Sequence, residues 1–210
     1  MKILLHPTYF PSIATFAAMV QHEVVWEEHD NFQKQTYRNR CYISTDKGKH
    51  MLNIPIQHVG GKEGRQKYAD VSTENSYNWK KEHWRTLETA YRTSPFFEFY
   101  EDEIRPLYEG NDDSLYDFNL KTIETIAGCV GIEIPKEKTE AYEVEPICCF
   151  DARFLVEAKK EKDWGIDPYT QVFEERHGFI PNLSVLDLLF NEGTNTLSYL
   201  KSLSLDLKHA

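Results

Sequence analysis

His6 stands at the end of an apolar run, Ile3-Leu4-Leu5, and is followed at once by Pro7-Thr8-Tyr9-Phe10-Pro11. An imidazole held there by a bend that two prolines stiffen can act as a general base, or donate to a developing oxyanion. It can equally be a histidine satisfied by loop backbone. A second short word, Tyr37-Arg38-Asn39-Arg40, follows a polar loop that carries Gln33 and Lys34. Read as extended chain, it alternates Arg38, Arg40 and Tyr42 onto one face, where two guanidiniums could grip a phosphate or carboxylate. The competing reading is a solvated strand face paired with Glu27, Glu28 and Asp30. Gln33, Lys34, Arg38 and Arg40 are therefore candidate substrate-binding residues. Asp30 is placed to help if a divalent ion bridges a phosphate. Asn39 falls on the other face and suits backbone groups better than a ligand, but stays in the candidate binding set. Tyr9 could stack on a sugar or base, although lone aromatics are more often core. Further on, His83 lies one turn after Trp79 and could reach into a cleft between helix and sheet, a second catalytic candidate. Asn119, beside Asp117, carries a weaker version of that argument.

The elements that must position these groups follow from periodicity. Lys2 to His6 reads as a short buried strand, and Ile13, Phe16, Ala17 and Val20 recur at helical spacing behind an N-capping Ser12. Glu23 to Glu27 reads as a second strand, parallel to the first if the helix is a crossover. The first word then lies at a strand's carboxyl end and at a helix N-terminus, a place that favours anions and carbonyl groups. Arg38 to Ser44 and Met51 to Gln57 read as a hairpin turning at Asp46-Lys47-Gly48-Lys49, with Pro55 at an edge. Val59 to Tyr68 is a Gly- and charge-rich loop; its Gly60-Gly61-Lys62 lacks the ending of a phosphate loop. Asp70-Val71-Ser72 is a candidate last strand. Helices are expected from Asn78 to Tyr91, from Phe96 to Tyr108 and from Leu115 to Cys129, the last ended by Gly128 and Gly131. The expected fold is α/β: a small mixed sheet (N-terminal strands with one crossover helix, plus a hairpin) packed with a helical region from about 78 to 130. Residues 1–210 read as a single domain, with 136–145 an internal linker and 146–210 a C-terminal extension packed on the same domain.

The totals narrow the partners. Against 34 Asp and Glu there are 24 Lys and Arg, a formal charge of −10, which disfavours nucleic acid and anionic membrane surfaces. No stretch approaches the ~20 apolar residues that span a bilayer, so no membrane insertion is expected. The four cysteines, Cys41, Cys129, Cys148 and Cys149, form neither a Cys-x-x-Cys pair nor a finger-like set with histidine. They read as free buried thiols of a cytoplasmic protein, and no metal ligand set or cofactor motif is evident.

The ordered set His6-Pro7-Thr8-Tyr9-Phe10-Pro11, Tyr37-Arg38-Asn39-Arg40, Leu52-x-Ile54-Pro55, Trp79-x-x-x-His83 with Tyr91, and Pro95-Phe96-Phe97 resembles the WbqC-like family over roughly the first two thirds of the chain. Pro168-Tyr169-x-Gln171-x-Phe173, His177 to Ser184 and Asp187 to Asn191 look like the close of the shorter bacterial members. The resemblance adds Trp79 and Tyr91 to the candidate binding residues. Many members read His-Gln-Pro at the first word, where this chain has His6-Pro7-Thr8. The likeness implies a role in bacterial surface-polysaccharide (O-antigen) synthesis, with transfer of an amino acid such as glycine to a sugar.

The expected function is thus a group transferase acting on a small phosphate- or carboxylate-bearing substrate, such as a nucleotide-linked sugar. His6 would be its base, and Arg38 and Arg40 its anion grip. The alternatives are a non-catalytic metabolite-binding module that assists a partner enzyme, and an assembly protein using an exposed Phe- and Tyr-rich second helix.

Overall fold

The computed structural model describes residues 1–57, 66–159 and 162–207. Gly60-Gly61-Lys62 lies outside them, as does most of the loop around it. Strand β1 (Lys2–Leu5) is fully enclosed from Ile3 onward because it is central: β2 (Glu23–Trp26) flanks it on one side and β5 (Phe150–Asp151) on the other, both parallel to it. The crossover between β1 and β2 is α1 (Ile13–Gln21), whose N-cap Ser12 accepts from the Thr15 backbone N–H. Nearly every α1 side chain is buried, since the helix is covered on its far side by α6 (Val185–Glu192) and α7 (Thr196–Ser202).

Strands β3 (Arg40–Thr45) and β4 (Gly48–Asn53) form a separate antiparallel hairpin turning at Asp46-Lys47. Arg38 is not part of it. The strand begins two residues later, so Arg38 and Arg40 do not share a strand face as the alternation suggested. Asp70-Val71-Ser72 is not a strand either. Tyr68–Asp70 is a single 3-10 turn, and Ser72 makes only an isolated bridge to Ser114.

Three helices follow: α2 (Trp79–Tyr91), α3 (Phe97–Ile104) and α4 (Leu115–Val130). The chain is therefore α/β, with a three-stranded parallel sheet, an antiparallel hairpin and helices over 79–130. In α3 the aromatic face is turned inward. Phe97 and Tyr100 are buried, and Phe99 stands out of the surface at 71% exposure. Gly131, in left-handed backbone at φ 76°, ends α4, whereas Gly128 lies inside it. The charged segment 136–145 runs along the sheet edge, where Trp26 donates its backbone N–H to Glu137 and Thr139 donates to Trp26. A four-residue turn of helix, α5 (Glu174–His177), completes the elements. Among the described residues no helix is long and apolar enough to cross a membrane.

Candidate functional site

The carboxyl ends of the three parallel strands gather a cluster of charged groups. β1 runs directly into His6, β2 into Glu27, and β5 ends on Asp151, two residues before Arg153. In parallel sheets this edge is where ligands bind, because backbone and loops leave a crevice there. A β5 contributed from residue 150 puts Arg153 in the same neighbourhood as His6, more than 140 residues earlier in the chain.

The two words do meet. Tyr9 donates its backbone N–H to the Tyr37 carbonyl at 3.1 Å. Arg38 Nη2 lies 2.7 Å from His6 Nε2 and 3.1 Å from Asp30 Oδ2, and Nε2 and Oδ2 are themselves 3.1 Å apart. One guanidinium nitrogen with two hydrogens thus donates to an imidazole and a carboxylate together. With Nε2 accepting, the His6 proton belongs on Nδ1, and the ring is a neutral donor.

Burial is what holds it neutral. His6 is 1% exposed, and desolvation pushes its pKa down to about 4. Asp30 pulls it up, and Arg38 adds to the depression. Burial also pushes the Asp30 carboxyl up, but the polar groups around it, His6, Arg38 and the Asn31 backbone N–H, outweigh this and leave it below the usual range. Arg38 is depressed chiefly by burial, and its charge lies over the Tyr68 ring at 5.4 Å.

A brace of polar residues holds the words in this relation. Asn119 on α4 donates to the Arg38 carbonyl at 2.6 Å and to the Tyr68 hydroxyl at 2.5 Å, and that hydroxyl donates to the Pro7 carbonyl at 2.6 Å. Beside them Glu27, fully buried, accepts from the backbone N–H groups of His29 and Asp30, which fixes the loop carrying Asp30. Arg153 lies 3.5 Å from Glu27 and is held by both carboxylate oxygens of Asp151, whose hydrogen bond keeps it well protonated. His6 Nδ1, Thr8 Oγ1, and Arg38 Nε and Nη1 are buried with no hydrogen-bond partner among the described residues. Leaving such donors unpaired costs roughly 1–3 kcal/mol each, so an oxygen-rich ligand would be bound with gain.

The remaining candidates fall elsewhere. His83 and Tyr9 sit in an aromatic cluster, with the Tyr9 hydroxyl 3.0 Å from His83 Nδ1 and 2.8 Å from the Tyr108 hydroxyl. Phe118 stacks on Tyr9, and Trp79 packs edge-on against both His83 and Phe118. Burial takes His83 down to about 4 as well. Tyr91 donates to Asp187, a fully buried carboxyl that also receives Tyr169 and Gln171. Asn39 closes the hairpin by donating to Ile54 O and Asn53 Oδ1. Arg40 is half-buried on β3, while Gln33 and Lys34 are exposed in the loop before Arg38. Of the cysteines, only Cys41 is buried. Cys148 is exposed, with its sulfur 3.2 Å from that of Cys149, which corrects the expectation of four buried thiols. The sequence reading missed Tyr68, Glu27, Asp151 and Arg153 as site residues. The available signal was a carboxylate at a strand's carboxyl end, Glu27 just after β2 and Asp151 closing β5. Nothing in the sequence singles out Tyr68.

The WbqC-like protein family model matches residues 6–148, well over half of the chain, and its match opens on His6 itself. The chain belongs to the WbqC-like protein family. It is also similar to the uncharacterized protein Rv1507c of Mycobacterium tuberculosis (strain ATCC 25618 / H37Rv), at 27% identity over 88% of this chain and 89% of that one. No solved structure gives a significant match. Residues 149–210, beyond the WbqC-like match, supply β5 with Asp151, and Arg153.

Proposed function

We propose that this WbqC-like protein is a group transferase whose His6 carries the proton. The substrate would be a small anionic molecule, a phosphate- or carboxylate-bearing sugar. The observation behind this reading is the triangle of His6 Nε2, Arg38 Nη2 and Asp30 Oδ2 at the strand ends. In the free protein Arg38 keeps the imidazole a donor. A substrate anion that draws Arg38 onto itself frees Nε2 to carry the proton and donate to Asp30, and Nδ1 becomes the lone pair of a base. That base takes the proton of an attacking amine or hydroxyl as its bond to the transferred carbonyl carbon forms. The same proton returns to the fragment that leaves. Family likeness supports amino-acyl transfer, glycyl for example, to a sugar or nucleotide-linked sugar in surface-polysaccharide synthesis. The four free thiols favour a reducing compartment, the cytoplasm.

The enclosure of His6 favours a second reading, a metabolite-binding module that assists a partner enzyme. Mass spectrometry of whatever co-purifies with the protein, followed by turnover assays on that compound, separates the two. Under the transferase reading, His6→Ala lowers turnover by about 10²–10⁴-fold while binding largely survives. A wild-type protein that binds the compound and turns nothing over is the binding module.

A further inference from the structure

A cleft of about 510 Å³ opens where the β3–β4 turn, α2 and α5 meet, and it shares no residue with the His6 cluster. The hairpin contributes Lys47 and His50, α2 contributes Arg85, and α5 contributes Arg176. Phe173 forms part of the wall, and Asp46 sits at the turn. Three permanent cations therefore face one carboxylate, in a chain whose net charge is −10. None of Lys47, Arg85 and Arg176 has an ion-pair partner among the described residues.

The arrangement follows from the fold. Trp84, Leu87 and Tyr91 turn one face of α2 into the core, which leaves Arg85 and Thr89, one turn apart, on the outer flank. His177 Nε2 lies 3.0 Å from the Thr45 carbonyl and ties α5 to the hairpin, so Arg176 is held beside Lys47 and His50. Like charges that outnumber the one carboxylate beside them repel one another, and an anion in the cleft relieves that repulsion. Guanidiniums suit phosphate oxygens in particular. The half-buried Phe173 ring, with Arg176 over it at 5.9 Å, offers a flat apolar surface beside them. The volume lies within the ~300–1,000 Å³ of small-molecule sites.

We propose that this cleft binds a nucleoside diphosphate, its phosphates on Arg85, Arg176 and Lys47 and its base against Phe173. The proposal does not rest on the role given to His6. Titration calorimetry with UDP and with inorganic pyrophosphate tests it. Both should bind the wild-type protein at or below about 1 mM and weaken as salt rises from ~50 to ~200 mM. Arg85→Glu and Arg176→Glu should each weaken both by about tenfold or more. Arg105→Glu, the same charge change at an exposed residue paired with Glu109, should leave both nearly unchanged. Phe173→Ala should weaken UDP and spare pyrophosphate, and His6→Ala should spare both. Absence of binding to the wild-type protein would overturn the site. So would unchanged affinity in the Arg85 and Arg176 variants, or an equal loss in the Arg105 variant. Loss of binding in His6→Ala would instead assign the anion to the strand ends.

Discussion

Arg38 decides what His6 is. Its Nη2 lies between an imidazole nitrogen and a carboxylate oxygen and donates to each, so the ring is neutral with its proton on Nδ1. Two neighbours pull its pKa in opposite directions, and burial dominates both. Arg38→Met should therefore raise the His6 pKa from about 4 toward its ordinary value near 6.5, and Asp30→Asn should lower it further. NMR titration of the imidazole reads both. The same burial links His6 and His83 to stability. The unfolded chain takes up these protons near pH 6.5, while the folded chain resists until about pH 4. Stability is thus complete above pH 6.5 and is lost as pH falls through that window, by up to about 3 kcal/mol for each histidine. Asp187, raised by burial, acts with the opposite sign. Urea unfolding at a series of pH values should show a flatter acid limb for His83→Gln than for the wild-type protein.

Two glycines show that position within an element, not residue type, sets the outcome. Gly128 is exposed inside α4, with nothing within 4 Å of an added Cβ. Gly128→Ala should stabilise the protein by about 0.5–1 kcal/mol, because alanine gives up less backbone freedom on entering a helix. Gly193 follows α6 at φ 55°, ψ −120°, where an added Cβ would lie 2.5–2.6 Å from the Phe96 ring. That ring cannot retreat easily, because the Phe96 backbone is itself hydrogen-bonded to the Phe190 carbonyl. Gly193→Ala should cost about 2 kcal/mol or more. Thermal denaturation of the two variants should move Tm in opposite directions. Arg38 illustrates the same point for a strand. Alternation counted back from Cys41 and Ile43 extends β3 to Arg38, but the chain is still turning at that residue, and the turn carries its guanidinium to His6.

At the scale of the molecule, the C-terminal third completes what the first third begins. β5 is the second neighbour of β1, and Leu186, Leu188, Leu189 and Phe190 of α6 are fully buried. Asp187 joins Tyr91 of α2 to Tyr169 and Gln171 through one buried carboxyl. A chain ending at residue 148, where the family match ends, exposes α1 and one edge of β1. It should show no cooperative unfolding transition by circular dichroism, since most apolar partners of α1 are gone.

The sequence by itself determined the local elements. Apolar spacing, the caps Ser12, Ser114 and Ser184, and the breaks at Pro95 and Gly131 act within a few residues, so β1, α1, β2, the hairpin and the helices over 79–130 were legible. It also marked His6, because a strand running into a proline-bound histidine is a local feature. Which residues surround that imidazole was decided only by tertiary structure. Asp30, Arg38 and Tyr68 reach it from turns, while Asn119 braces Arg38 and Tyr68, and the charge of Arg153 is brought near by a sheet partner far along the chain. His83, Tyr9 and Tyr91, with equal claims in sequence, were drawn into other buried networks. Hydrogen-bond partners of buried polar groups are chosen by packing across long sequence separations, and one-dimensional spacing does not encode that choice.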